Sequence, residues 1–239
     1  MSARTQGATV PAVAPVRSGN VFEETMEALL QAIRLGQFPA GSKLLPERDL
    51  AEALRVSRTT LREALAQLGR SGYVTIRRGR YGGAYVCESL PPIDRGHVGT
   101  LDQAEVFDLL TMRYIVEPAA AALAAGRELD TEERANLIQV HHECQQADPA
   151  QYRPLDSRLH VLIAELSGSP RLRAAVTETR AGVNSLLDCI PLLETNVEHS
   201  AQQHDLLVDA ILAGDAQAAR THMEDHLDGT AALLRGFLG

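Results

Sequence analysis

Two amphipathic segments separated by only two residues constrain this chain more than any other feature. Pro46 suits a first helical turn, and Leu50, Ala51 and Leu54 follow on one face. Ser57 is a natural N-cap, after which Leu61, Ala64, Leu65 and Leu68 recur at i, i+3, i+4 and i+7. Only Arg55 and Val56 lie between the segments, so the spacing predicts two helices crossing at a sharp angle, a helix-turn-helix. Upstream, Phe22, Met26, Leu29, Leu30 and Ile33 mark a helix over Val21 to Leu35, stopped by Gly36, with a turn at Pro39 and Gly41. Downstream, Tyr73 to Arg78 and Ala84 to Val86 are strand-like on either side of the Gly-rich run Gly79 to Gly83. That pattern predicts a β-hairpin with an arginine-bearing tip, a wing.

The second helix of the pair carries Arg58, Thr59 and Arg62 in its first turns, away from the centre of its apolar stripe. Guanidinium groups can donate two hydrogen bonds to guanine or pair with phosphates, and a helix N-terminus favours phosphate. The plainer alternative is a solvated basic face. The net charge of −8 suits a DNA binder only after the chain is divided. Residues 1–99 hold 13 Lys/Arg against 9 Asp/Glu, and residues 100–239 hold 10 against 22, a basic module joined to an acidic one.

From Asp102 onward the periodicity predicts helix after helix, over 103–126, 131–147, 151–167, 170–189, 195–213 and 215–235. Aromatics are 4% of the chain and Trp is absent, a composition that suits Leu/Ala-packed helices better than a β-sandwich. The expected fold is therefore mainly α: a winged helix-turn-helix over 19–88 and an all-helical bundle over 103–239. A tail (1–18) and a Pro/Gly-bearing linker (89–102) complete the chain. No stretch approaches the roughly 18 apolar residues of a membrane span, and Met1 to Ser18 lack the pattern of a secretion signal. Cys87, Cys144 and Cys189 are scattered, which points to reduced thiols and a cytoplasmic protein.

Several polar residues of the second half fall on faces that should be buried. Asp156 and His160 are i, i+4 on one predicted helix, beside Leu159 and Ile163. His204 lies in the stripe of Val197, Leu207, Val208 and Ile211, and His226 lies beside that of Ala219, Met223, Leu227 and Leu234. One carboxylate and three imidazoles suit a divalent ion if they converge; taken singly, each could be a satisfied core residue. Arg113 shares the apolar side of the first helix of this half, where burial would require a partner. Glu117, four residues on, is the plain choice.

The run Pro46-Glu47-Arg48-Asp49-Leu50-Ala51, then Val56 to Leu65, then Gly72-Tyr73-Val74, resembles the GntR-family DNA-binding domain across roughly 20–87. It departs at Pro46, where many relatives place a capping Ser. The resemblance implies DNA contacts from Arg48, Arg58, Thr59 and Arg62, with the wing at Gly79 and Arg80 approaching the minor groove. Asp156-x3-His160, His204 to Asp215, and Ala218-Ala219-Arg220-x5-His226-Leu227 are similar to the FCD ligand-sensing domain of the FadR subfamily. Six helices is the count of its VanR-like branch. This second resemblance implies that Asp156, His160, His204 and His226 hold a divalent metal ion, Zn²⁺ first, with Ni²⁺ or Mn²⁺ as alternatives. It also implies that Arg113 faces the effector pocket, and it counts against acyl-CoA, whose binders lack the four ligands.

The expected protein is a homodimeric transcriptional regulator on a palindromic operator, with recognition helices about one DNA turn (~34 Å) apart and a small organic acid bound at the metal. In one alternative the ion itself is the signal. In another the chain is a metal-dependent hydrolase, a reading weakened by the lack of HExxH or any other glutamate placed as a general base.

Overall fold

The computed structural model describes residues 20–79, 82–91 and 103–238. They form two compact units that divide at Pro92. The expected tail (1–18) and most of the expected linker lie outside the described residues.

The first unit contains α1 (Val21–Arg34), α2 (Glu47–Leu54), α3 (Arg58–Arg70), β1 (Val74–Arg77) and β2 (Gly83–Val86). Its core is the one the periodicity anticipates: Phe22, Met26, Leu29, Leu30 and Ile33 of α1, Leu50 and Leu54 of α2, and Leu61, Leu65 and Leu68 of α3 are all buried. Each such side chain contributes roughly 1.5–3 kcal/mol when fully removed from water.

Helix α3 begins where Ser57 Oγ accepts the Thr60 N–H at 3.0 Å, satisfying one of the orphan donors of the first turn. The turn between α2 and α3 closes through Arg55, which sits in the left-handed region at φ 57°. The Val56 N–H then reaches the Ala51 carbonyl at 3.0 Å. A non-glycine residue there costs roughly 1–2 kcal/mol, and the structure sustains it because Leu54 and Leu61 on either side are fully buried.

Strands β1 and β2 pair antiparallel with Val74 opposite Val86 and Arg77 opposite Gly83. At the hairpin end a Cβ on Gly82 would lie 2.5 Å from the Arg77 carbonyl, so that position excludes any side chain. A third segment joins this sheet. Lys43 bridges Tyr85, the Leu44 N–H donates to the Ala84 carbonyl at 2.9 Å, and the Val86 N–H donates to Ser42. The sequence marks this stretch only as a turn, because the four residues between Gly41 and Pro46 are too few to show alternation.

The described residues of the second unit form helices alone: α4 (Gln103–Ala125), α5 (Thr131–Gln145), α6 (Tyr152–Leu166), α7 (Pro170–Leu187), α8 (Glu194–Ala213) and α9 (Ala216–Leu238). The breaks have local causes. Asp130 and Glu133 form a capping box at α5, Ser169 caps α7 with Pro170 at its first position, and Gly214 ends α8 at φ 78°. Helix α4 packs against α6, α7, α8 and α9. Small residues allow it to come close: Ala121, Ala124 and Ala125 enter the main core beside Leu159, Ile163, Leu207, Ile211 and Met223. On its other side Gly182 of α7 admits Leu109, whose methyl carbons lie 2.9 Å from where a Cβ would stand.

Candidate functional site

In the first unit, α3 turns Leu61, Ala64, Leu65 and Leu68 inward, which leaves Arg58, Thr59 and Arg62 on the outside. The side chains of Arg48, Arg58 and Arg62 are 81%, 60% and 59% exposed, so a duplex could reach all three. Each has an acidic companion at the start of α2. Arg48 Nε meets Asp49 at 2.9 Å, Arg62 Nε meets Glu47 at 2.7 Å, and Arg58 Nη2 lies 4.0 Å from that same Glu47 oxygen. Gly79 is exposed at φ 100°, a backbone conformation available chiefly to glycine. Arg80 lies outside the described residues. On the hairpin, the Arg77 guanidinium stacks 4.3 Å from the centre of the Tyr85 ring.

In the second unit four polar side chains reach the interior from three helices. Asp156 and His160 come from α6, His204 from α8 and His226 from α9, and all four are buried. Each offers a ligand atom, and these atoms all lie within 4.8 Å of one another. The imidazole centroids are 4.5 to 5.5 Å apart. Asp156 Oδ1 sits 3.5 Å from His204 Nε2 and 3.7 Å from His160 Nε2, too far for a good hydrogen bond.

The surroundings of this cluster are strongly polarised. Arg180 of α7 donates through Nη2 to Asp156 Oδ2 and, at 3.0 Å, to Ser157 Oγ. Ser157 is itself held by Asn184 at 2.7 Å. Glu117 of α4 receives Arg113 Nε at 2.9 Å on one oxygen and faces His160 Nδ1 with the other. Polar side chains thus line up as Arg113, Glu117, His160, Asp156 and Arg180, hydrogen-bonded at both ends with a 3.7 Å gap between His160 and Asp156. Burial alone would raise the Glu117 carboxyl, but Arg113 and His160 overcome it and bring its pKa down to about 2. Asp156 is likewise held below the usual carboxylate range: burial opposes, and Arg180 prevails. Burial lowers His204 to about 3 although Asp156 pulls the other way, and it keeps His226 well below the ordinary histidine value. Both carboxylates are therefore ionised near neutral pH, and His204 and His226 offer lone pairs.

What remains unsatisfied is informative. His160 Nε2, His204 Nε2 and both nitrogens of His226 are buried without a hydrogen-bond partner among the described residues. Leaving a buried polar atom unpaired costs roughly 1–3 kcal/mol. A divalent cation would satisfy one nitrogen of each ring together with Asp156. Donors at ~2.1 Å from an ion stand no more than ~4.2 Å apart. The widest separation, 4.8 Å, shortens by ~0.6 Å for donors on opposite sides of an ion, or by ~1.4 Å for a tetrahedral one, within the reach of side-chain adjustment. Glu117 matches the carboxylate that commonly orients a metal-binding imidazole through its other nitrogen. The residues present therefore fit a metal ion.

Sequence reasoning placed Glu117 only as the partner of Arg113 and gave no role to Arg180, Ser157 or Asn184. Arg180 was detectable in principle. It falls between Val176 and Val183 on the buried stripe of α7, a charged residue where an apolar one is expected. Arg113 forms its intrahelical pair with Glu117 and is buried, with Nη1 left over as an unpaired donor.

Comparison with known proteins covers both units. Residues 22–86 match the family described as bacterial regulatory proteins, gntR family, and residues 108–229 match the FCD domain. The chain is 31% identical to the "Putative L-lactate dehydrogenase operon regulatory protein" of Escherichia coli K12, over 94% of this chain and 89% of the relative. It is 30% identical to the HTH-type transcriptional regulator Mce2R of Mycobacterium tuberculosis, over 91% and 92% of the two chains. The Exu regulon transcriptional regulator of E. coli K12 is 25% identical over 90% and 84%. Among solved structures, E. coli McbR/YncC has the same fold, with a TM-score of 0.51 at 21% identity, covering 90% of this chain and 96% of that one.

Proposed function

Because the chain belongs to the GntR family of DNA-binding transcriptional regulators and carries an FCD domain, we propose that a small organic acid, bound at a metal ion in the helical unit, sets its affinity for DNA. The matched family and relatives are regulators, not enzymes. The observation that carries the proposal is the buried set Asp156, His160, His204 and His226, with imidazole nitrogens that nothing among the described residues satisfies. Zn²⁺ fits three imidazoles and a carboxylate, and Ni²⁺ or Mn²⁺ accepts the same donors. When bound, the ion supplies a positive centre for a carboxylate.

The chain's own groups would do the rest. Glu117 fixes the His160 ring, Arg180 keeps Asp156 ionised and aimed, and Arg113 offers its spare Nη1 to an acid. A relative named for an L-lactate dehydrogenase operon is in keeping with an effector of this class. Ligands this deeply buried favour a retained ion over an exchanging one, hence a metabolite sensor over a metal sensor. In the first unit, Arg48, Arg58, Thr59 and Arg62 would contact DNA, with the wing at Gly79 and Arg80 beside them. The working form would be a cytoplasmic homodimer on a palindromic operator. The effector can shift DNA affinity only by its preference for one arrangement of the protein, about 1.4 kcal/mol for each tenfold.

The test has two arms. Protein purified without added metal should carry one divalent ion per chain by elemental analysis, and the His160→Ala/His226→Ala double variant should carry none. Duplexes selected by the protein from a random library should change affinity with L-lactate or a related acid only when the metal is present. Full occupancy in the double variant would reject the ligand set. Acid responses that survive chelation would separate the effector from the metal.

A further inference from the structure

The exposed arginines of the DNA-binding unit carry an internal counter-charge, Glu47, which already serves its own helix as an acidic first-turn residue. Glu47 is the first residue of α2, yet its side chain crosses to α3, where it takes Arg62 Nε at 2.7 Å and stands 4.0 Å from Arg58 Nη2. All three side chains are substantially solvated, at 43% for Glu47 and about 60% for the arginines. Ion pairs so exposed contribute little to folding. A carboxylate on a face that must approach polyphosphate works against binding in general, so its effect has to be sought in the quality of binding.

Geometry supplies that effect. Engagement of Arg62 through Nε fixes the guanidinium plane and leaves both terminal amino groups free, the edge that pairs with guanine O6 and N7. Holding the group in one orientation removes ordering that would otherwise occur on binding. Simultaneously, one negative charge set between two arginines halves the net positive charge they show to phosphates, which attract without regard to sequence.

We propose that Glu47 is a specificity-determining positioning residue: it aims Arg62 at base edges and suppresses sequence-independent attachment by Arg58 and Arg62. The inference rests on the reading of α3 as the recognition helix. Glu47→Gln retains shape and hydrogen bonding while removing the charge. Freeing one arginine for a phosphate steepens the log–log salt slope by about 0.9, which corresponds to roughly eightfold tighter binding at 0.1 M salt.

The experiment uses the full chain with two fluorescent duplexes, one selected by the wild type from a randomised library and one scrambled. Binding is followed by anisotropy across a KCl series. Glu47→Gln is expected to bind the scrambled duplex several-fold more tightly with a steeper salt slope, and the ratio of selected to scrambled affinity should fall. Equal changes on both duplexes at constant slope would overturn the proposal. So would loss on the selected duplex alone, which would make Glu47 a direct reader of a base. Arg58→Ala and Arg62→Ala run alongside. If neither alters either affinity, the assignment of α3 fails, and this inference with it. If they do and Glu47→Gln does not, only the role of Glu47 falls.

Discussion

Replacing Arg180 with Met tests how the polar chain through the helical unit is balanced. The arginine side chain is 2% exposed and its partner Asp156 is 9% exposed, so solvent screens their contact very little. Arg180→Met preserves most of the volume but leaves an ionised carboxylate buried without its cation. Removing one partner of such a pair costs about 3–5 kcal/mol. For a unit of this size each kcal/mol lowers Tm by roughly 3–5 °C, so the transition of the helical unit should fall by roughly 10–20 °C. Calorimetry in a chelator measures the full loss. With Zn²⁺ the loss should shrink, because the ion restores a positive charge beside Asp156. The Asp156→Leu/Arg180→Met double variant should recover much of the stability in chelator, as the stranded charge is gone. A single variant within 2 °C of the wild type, or a double variant no more stable than the single, would refute the reasoning.

Glu117→Gln keeps the shape of the α4 side chain but weakens its hold on His160, so metal affinity should drop 10–100-fold in chelator competition. Arg58→Ala or Arg62→Ala should each weaken binding to a selected duplex by roughly 1–3 kcal/mol, and wild-type affinity should fall steeply with salt. Anisotropy titrations check both. Gly182→Ala places a methyl 2.9 Å from the Leu109 methyl carbons and should cost roughly 1–3 kcal/mol by thermal or denaturant unfolding.

Much of the architecture was legible in the sequence because it is written in local periodicity. The stripe of α1, the two-residue gap before α3 and the six later helices all follow from apolar spacing and from caps or breaks such as Ser57, Asp130, Ser169 and Gly214. The segment near Lys43 was not legible, since its strand character comes from pairing with Tyr85 and not from its own pattern. At the Asp/His cluster, spacing placed Asp156 with His160 on one helix face. Bringing His204 and His226 to the same point is a property of the packed bundle. The same holds for Glu117 on His160, 43 residues away, and for Glu47 on Arg62, 15 residues away. Such contacts carry no periodic signature, and only a charge on an apolar stripe, as at Arg180, hints at them.

Helix α4 has a mechanical consequence. Its residues Arg113 and Glu117 form one side of the polar chain, and it is also the first helix of its unit, starting at Gln103. Fourteen residues of helix make an arm of ~21 Å between Glu117 and that start. A tilt of only ~5° about the pivot would carry the near end through ~1.8 Å. Any small shift of Glu117 within the bundle would thus be geared up at the Gln103 end of the rod.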